Sequence, residues 1–256
     1  MYADVVEPES LDALRDILHL GTRMGYHAFI VDVSEWDTVD PIYEMGESLS
    51  IPMLPLMMIN KNHRATEYLG KAIIGIEVSD EKQLRRALRK DWLSVISIRA
   101  EGLSILRAKI VNIIRSRHYY KFFEIPLNSL LNASPSDLAR VFNLMRSRSK
   151  ILGKRELRVM FTSRAKKKYD LISPRQLRAL LLEAGLSDMA VKRALKENIV
   201  ELMISPLEIL IVRDNRLLRN IQRVLSIWRR QNDRRKILEA SNISLQNQTN
   251  YLLSHM

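Results

Sequence analysis

The sequence predicts an α/β fold in which parallel strands and helices alternate until the sheet closes into a barrel. Three observations predict it. Short apolar segments rich in Val, Ile, Leu, Met and Phe alternate with helix-like segments over residues 1–205, giving eight strands in all. The connections between them are short, and eight such units are what closure of a parallel sheet requires. The chain is 256 residues long and 46% hydrophobic, enough to bury one large core. An open doubly wound sheet is the structural alternative.

Taken in order, Tyr2–Val6 reads as a short buried strand. Glu9 and Ser10 open a helix whose apolar face is Leu11, Leu14, Ile17, Leu18 and Met24, and Gly25 ends it. His27–Val33 is the second strand, and a short helix near Ile42–Leu49 follows a loop at Trp36–Pro41. Met53–Ile59 is the third strand and Ala72–Val78 the fourth. Asp80 caps a helix over Glu81–Arg89. Leu93–Ile98 is a strand, Gly102–Ser116 a helix and Lys121–Ile125 a strand. Pro135 and Ser136 start a helix ending near Leu152, and Leu157–Thr162 is the seventh strand. Pro174 stands at a helix start and Gly185 at its end. Ser187 caps one more helix, to about Lys196, and Ile199–Ile204 is expected to be the eighth strand.

Residues 206–238 differ in character. After Pro206 and the apolar run Leu207–Val212, the positions Leu217, Leu218, Ile221, Val224, Leu225 and Trp228 recur at helical spacing. Arg216, Arg223 and Arg230 are spaced to line the opposite side. This is expected to be a basic amphipathic helix packed on the barrel. Residues 239–256, rich in Asn, Gln and Ser, are expected to form a flexible tail.

Composition narrows the function. Lys and Arg number 41 against 29 Asp and Glu, a formal net charge of +12, which favours a polyanionic partner. There is no cysteine, so disulfides, thiolate catalysis and Cys-ligated zinc are excluded. The N-terminus lacks a basic segment followed by an apolar one, and no apolar run approaches the roughly 18 residues that span a bilayer. A cytoplasmic protein with no membrane partner is expected. The Arg-rich, Gly-poor composition points to an archaeal source.

In a parallel barrel, chemistry sits in the loops that follow the strands. Those loops carry Glu7, Ser34, Glu35, Asp37, Asn60, Lys61, Asn62, His63, Arg64, Asp80, Arg99, Glu101, Asn128, Ser163 and Arg164. The five histidines, His19, His27, His63, His118 and His255, include no H-x-H or H-E-x-x-H pair. A metal cage needs several ligands converging on one end, and only His63 is suitably placed, so neither a metal nor another cofactor is expected. No glycine-rich nucleotide loop occurs. Glu35 and Asp37 could serve acid–base chemistry, but no nucleophile or oxyanion partner is readable beside them. No catalytic residue is assigned.

Three basic segments stand out. One spans Arg140 to Arg158 and includes Arg148, Lys154 and Arg155. The second is the loop Arg164, Lys166, Lys167, Lys168 and Tyr169, where the tyrosine could stack on an exposed base. The third is the helix with Arg216, Arg223 and Arg230. Arg and Lys can neutralise a phosphate backbone without reading its sequence, and these ten cations are the expected nucleic-acid contacts, the loop first. A solvated helix face is the plain alternative for each segment.

Certain residues carry a more specific likeness. Phe122-Phe123-Glu124-Ile125-Pro126-Leu127 with Leu130-Leu131 resembles the strand and turn "FEI…LL" of the ribonuclease P protein component 3 family. Val159–Ala165 resembles that family's strand ending in "SSGA". Leu171-Ile172-Ser173-Pro174-Arg175-Gln176-Leu177 resembles its helix start "LRSPRDL", and Gly185-Leu186, Ala190 and Ala194-Leu195 match its next stretch, "GL…A…AL". Asp4 and Gly25-Tyr26 also fit. Arg164 stands where the family has Gly, Ile172 where it has Arg, and Gln176 where it has Asp.

The resemblance implies a TIM-like barrel related to the polymerase-and-histidinol-phosphatase phosphoesterases. Those enzymes carry H-x-H in the first strand, where this chain reads Tyr2-Ala3-Asp4, so their metal chemistry is not implied. It further implies a subunit of the ribonucleoprotein, archaeal or eukaryotic, that removes 5′ leaders from precursor tRNA. There the RNA component carries the nuclease (hydrolase) activity. The implied partners are that RNA, precursor tRNA indirectly, the small protein component 2 and the other protein subunits. The rival class is a metal-dependent barrel phosphoesterase acting alone, and a third is a pure protein-interaction module.

Overall fold

A computed structural model describes residues 1–36, 39–59, 67–117, 121–131, 133–205 and 215–231. Its centre is a parallel sheet whose strands pair in sequence order: β1 (Ala3–Val6), β2 (Ala28–Asp32), β3 (Met53–Met58), β4 (Ile73–Glu77), β5 (Val95–Ser97), β6 (Phe122–Pro126) and β7 (Val159–Thr162). Nearly every strand residue is buried, as expected where helices cover the outside and side chains fill the inside. The register runs evenly from Ala3 opposite Ala28 to Pro126 opposite Thr162.

The helices are α1 (Leu11–Met24), α2 (Asp40–Leu49), α3 (Glu81–Leu88), α4 (Ala108–Arg117), α5 (Asn128–Leu131), α6 (Pro135–Leu152), α7 (Pro174–Glu183), α8 (Asp188–Lys192), α9 (Asn198–Ile204) and α10 (Asn215–Gln231). Their starts follow the capping chemistry of the sequence. The Ser10 hydroxyl accepts from the Ala13 N–H, and the Asp80 carboxylate from the Gln83 N–H. Ser173 and Gln176 form a reciprocal capping box with Pro174 in the first turn of α7. Gly25 ends α1 at φ 98°, a left-handed conformation that glycine adopts without steric cost.

Two expectations need correction. Gly102–Ser116 is not one helix: a 3₁₀ segment, Ala100–Ile105, is separated from α4 by Leu106, which is extended and buried, and Arg107. Nor is Ile199–Ile204 an eighth strand. It lies within α9, which buries Ile199, Val200, Leu202 and Met203. So short an apolar run satisfies either periodicity, and the barrel takes it as a helix with Glu201 on its open side, paired with Arg158.

With no eighth strand among the described residues, β7 meets β1 directly. The seam is stitched at one end only. The Arg164 N–H donates to Val5 O (3.0 Å), Glu7 N–H to Ala165 O (3.0 Å) and Glu9 N–H to Lys166 O (3.4 Å). At the other end α9 packs against both strands, and the buried Asn198 amide donates to Val159 O at 2.7 Å. That bond satisfies a carbonyl that would otherwise be orphaned by the absent strand. The result is a nearly closed, seven-stranded barrel. α10 packs on α9 and β3 through Leu217, Ile221, Val224 and Leu225. The expected apolar run at 207–212, the basic residues 234–236 and the tail 239–256 lie outside the described residues, as do Asp37, the segment 60–66 with His63, and His118 and His255.

Candidate functional site

The loops after the strands converge on a cleft of about 680 Å³ at the barrel mouth. Among the described residues its walls carry six carboxylates, from Glu7, Asp32, Glu35, Glu77, Glu101 and Asp170, against three cations, Arg99, Arg164 and Lys166.

The centre of the mouth is filled by Arg164. Its side chain is 5% exposed. Nε donates to Glu124 Oε1 and Nη2 to Glu124 Oε2, both at 2.6 Å, a two-pronged pair. Nη1 donates to Asp32 Oδ2 and lies 4.0 Å from Glu7 Oε2. Burial works against its charge, but the Glu124 and Asp32 carboxylates outweigh that and raise its pKa. The side chain therefore spans the seam, tying β6 on one side to β2 on the other. Sequence reading placed Arg164 among solvent-facing phosphate contacts. The structure corrects this: two acids remote in sequence turn it inward.

Beneath it, Asp4 is buried. Its carboxylate accepts from the Ser163 hydroxyl at 2.5 Å and the Ser163 N–H at 2.9 Å. Burial pushes its pKa up to about 7, against the lowering effect of those bonds. The Thr162 hydroxyl adds a bond to Glu124 at 2.8 Å. None of Asp4, Asp32 or Glu124 was singled out as a charged partner in the sequence. The only local hint was their place in otherwise apolar strands.

The lysines of the expected RNA loop are exposed or half-exposed, but each meets an acid from the β1–α1 region. Lys166 pairs with Glu7 (3.0 Å), Lys167 with Glu9 (3.2 Å) and Lys168 with Asp16 (2.9 Å). The Asp170 carboxylate accepts from the N–H groups of Lys166 and Lys167, fixing the loop. Tyr169 stands 84% exposed, with Lys168 Nζ 5.4 Å from its ring centre.

The remaining expected contacts sit on two elements. On α6 and the turn after it, Lys154 and Arg155 are exposed and Arg148 is partly buried. On α10, Arg216 pairs with Asp40 at 2.6 Å and lies over the Tyr43 ring at 5.0 Å. Arg223 is partly buried, and exposed Arg230 turns back to Ser226 O at 3.3 Å. α6 packs against the 3₁₀ segment and α10 against α9 and β3, so the two sets are held by different parts of the barrel.

The residues present do not fit the metal centre of the phosphoesterase barrels. Where those enzymes place H-x-H, β1 offers Asp4, which is engaged with Ser163, and the two innermost carboxylates already grip a guanidinium. His19 is exposed on α1 and His27 lies at the opposite end, beside Tyr2 N. Among the described residues no group of three or more His, Asp or Glu is arranged to hold a metal ion, and no helix is long and apolar enough to cross a membrane.

Fold and site together define a parallel α/β barrel with a buried, ion-paired arginine at its mouth and cations on its outer helices. Among solved structures, the chain is similar to one in the cryo-electron microscopy structure of archaeal ribonuclease P with mature tRNA: TM-score 0.65, 18% identity, covering 78% of this chain and 89% of that one. An apo protein of Agrobacterium tumefaciens overlaps with TM-score 0.47 at 14% identity, covering 78% of this chain and 94% of that one. A probable 2-pyrone-4,6-dicarboxylic acid hydrolase of Acinetobacter baumannii with citric acid bound overlaps with TM-score 0.45 at 10% identity, covering 78% and 98%. No protein-family model and no curated protein matches the chain. The first of these likenesses establishes the shared barrel fold.

Proposed function

We propose that this chain is a protein subunit of ribonuclease P, of the protein component 3 family. In this reading it is a barrel scaffold that binds and stabilises the catalytic RNA together with a small second protein subunit. The observation that carries the reading is the fold shared with the archaeal ribonuclease P chain over most of both lengths. The residues that resemble the family support it, because they hold structural positions. Phe122–Leu127 forms β6 and the turn after it, Val159–Arg164 runs from β7 into the seam, and Ser173–Gln176 is the α7 capping box. The phosphoesterase rival gains no support from the mouth, where carboxylates are bound to Arg164.

Exposed cations on the turn after α6, Lys154 and Arg155 first, supply the phosphate contacts. The paired loop of Lys166, Lys167 and Lys168 contributes second, after its acids are displaced. Reconstitution tests this directly. Cleavage of precursor tRNA by the RNA with the other subunits is expected to fall when this chain is left out. Binding is expected to weaken steeply with salt. Unchanged cleavage without the chain, or affinity indifferent to a several-fold rise in ionic strength, overturns the proposal.

A further inference from the structure

The two ends of the barrel place their cations differently. At the mouth, Lys166, Lys167 and Lys168 each lie within 3.2 Å of a carboxylate. The opposite end is built from the turns that enter the strands. Arg89 and Lys90 stand exposed before β5, Arg115 is exposed in the last turn of α4, and Lys154 and Arg155 are exposed before β7. β5, β6 and β7 are neighbours in the sheet, so these turns form one arc. Two contacts lace it together. The buried Lys121 ammonium, at the entry to β6, donates to Lys90 O (2.7 Å) and Leu93 O (2.5 Å). Arg115 pairs with Glu156 at 2.8 Å, joining the end of α4 to the turn before β7. The acids within residues 89–93 and 154–158 are Asp91, which acts on Lys121, and Glu156. Arg158 meets Glu201 at 3.2 Å. Set against Lys121, Arg115 and Arg158, those three acids leave the charges of Arg89, Lys90, Lys154 and Arg155 in surplus. A backbone already held in place loses little freedom when a partner binds it.

We propose that the folded RNA docks across this end of the barrel, with its phosphates on Arg89, Lys90, Lys154 and Arg155. The chain then meets its RNA at the end opposite the one where parallel barrels hold their ligands. This rests on the RNA-binding reading above and names the face that carries it. Arg89 and Lys90 belong to none of the three basic segments of the sequence; the order of strands in the sheet brings them beside the turn that carries Lys154 and Arg155. Helix C-termini also attract cations by themselves, so a purely structural role for these side chains is the rival that the test has to separate.

The test uses the full chain, assembled with a transcript of an archaeal ribonuclease P RNA and the other protein subunits. The chain has no cysteine, so a single introduced thiol can carry an iron–EDTA group that cleaves nearby RNA. Ser116→Cys places it on the exposed last turn of α4 at the proposed face, and Ser129→Cys places it on the exposed rim of the mouth. Strong RNA cleavage is expected from position 116 and little from position 129. In parallel, Arg89→Ala with Lys90→Ala is expected to weaken RNA binding about tenfold and to lower its salt slope by about 2, with an unchanged urea midpoint. The Lys90 carbonyl that Lys121 holds is kept in that variant. Three results overturn the proposal while leaving the RNA-binding reading intact, because in each the chain still joins the RNA. These are cleavage from position 129 equal to or above that from 116, no cleavage from 116, or a variant that loses stability with its RNA affinity unchanged. A natural chain that fails to join the RNA assembly even at low salt overturns the reading itself, and the proposal with it.

Discussion

Two arginine-bearing segments that look alike in the sequence meet opposite fates. The turn after α6 leaves Lys154 and Arg155 in solvent, whereas Arg164, a few residues further on, is buried between Asp32 and Glu124. The difference lies in the partners. Arg164 stands 132 residues from Asp32 and 40 from Glu124 in the chain, and only barrel closure brings the three together. A local run of cations describes a surface only where no remote acid claims it. Lys154 and Arg155 keep their charges in solvent, and Arg164 is committed to the fold.

The contrast can be broken most severely at Arg164. Arg164→Met leaves Glu124 and Asp32 buried without a counter-charge and is expected to cost about 3–5 kcal/mol in urea unfolding. A loss under about 1 kcal/mol would put the guanidinium outside the energetics of the seam. Asn198→Ala removes the donor to Val159 O and is expected to cost about 1–3 kcal/mol, since the carbonyl stays buried.

Asp4 sharpens the same contrast through pH. Its carboxyl titrates near 3.8 when unfolded and near 7 when buried. Over that window the folded chain keeps a proton that the unfolded chain releases, so this group makes stability fall as pH rises from about 4 to about 7 and stay level above. Asp4→Asn is expected to flatten that slope, read as urea midpoints at pH 5 and pH 8. An unaltered slope would assign it to other groups.

On the outer side, Lys154→Ala with Arg155→Ala is expected to leave stability within about 0.5 kcal/mol while reducing the salt slope of RNA binding by about 2. The smallest effect is expected from Lys167→Ala with Lys168→Ala, because Glu9 and Asp16 already offset those charges. A loss of RNA affinity larger than that of the Lys154 and Arg155 pair would reverse the ranking.

Much of the barrel was legible. Seven strands read correctly because buried parallel strands are apolar runs, and the helix starts at Ser10, Asp80, Ser173 and Ser187 follow from cap chemistry. The helix of Ile199–Ile204 was not, because a short apolar run interrupted only by Glu201 fits a strand as well as a helix. The break at Leu106 carries no Gly or Pro to announce it. The candidate site was legible in composition and not in place. Lysines 166 to 168 do lie at the mouth, but their ion pairs with Glu7, Glu9 and Asp16 are tertiary facts.

The seam also orders events during synthesis. β1 leaves the ribosome first and pairs early with β2, yet its other edge waits for a partner 159 residues downstream, where Ser163 meets Asp4. Until then that edge is an open template carrying unpaired amides and carbonyls. That edge is masked only when the stretch that delivers Arg164 to Glu124 has been made.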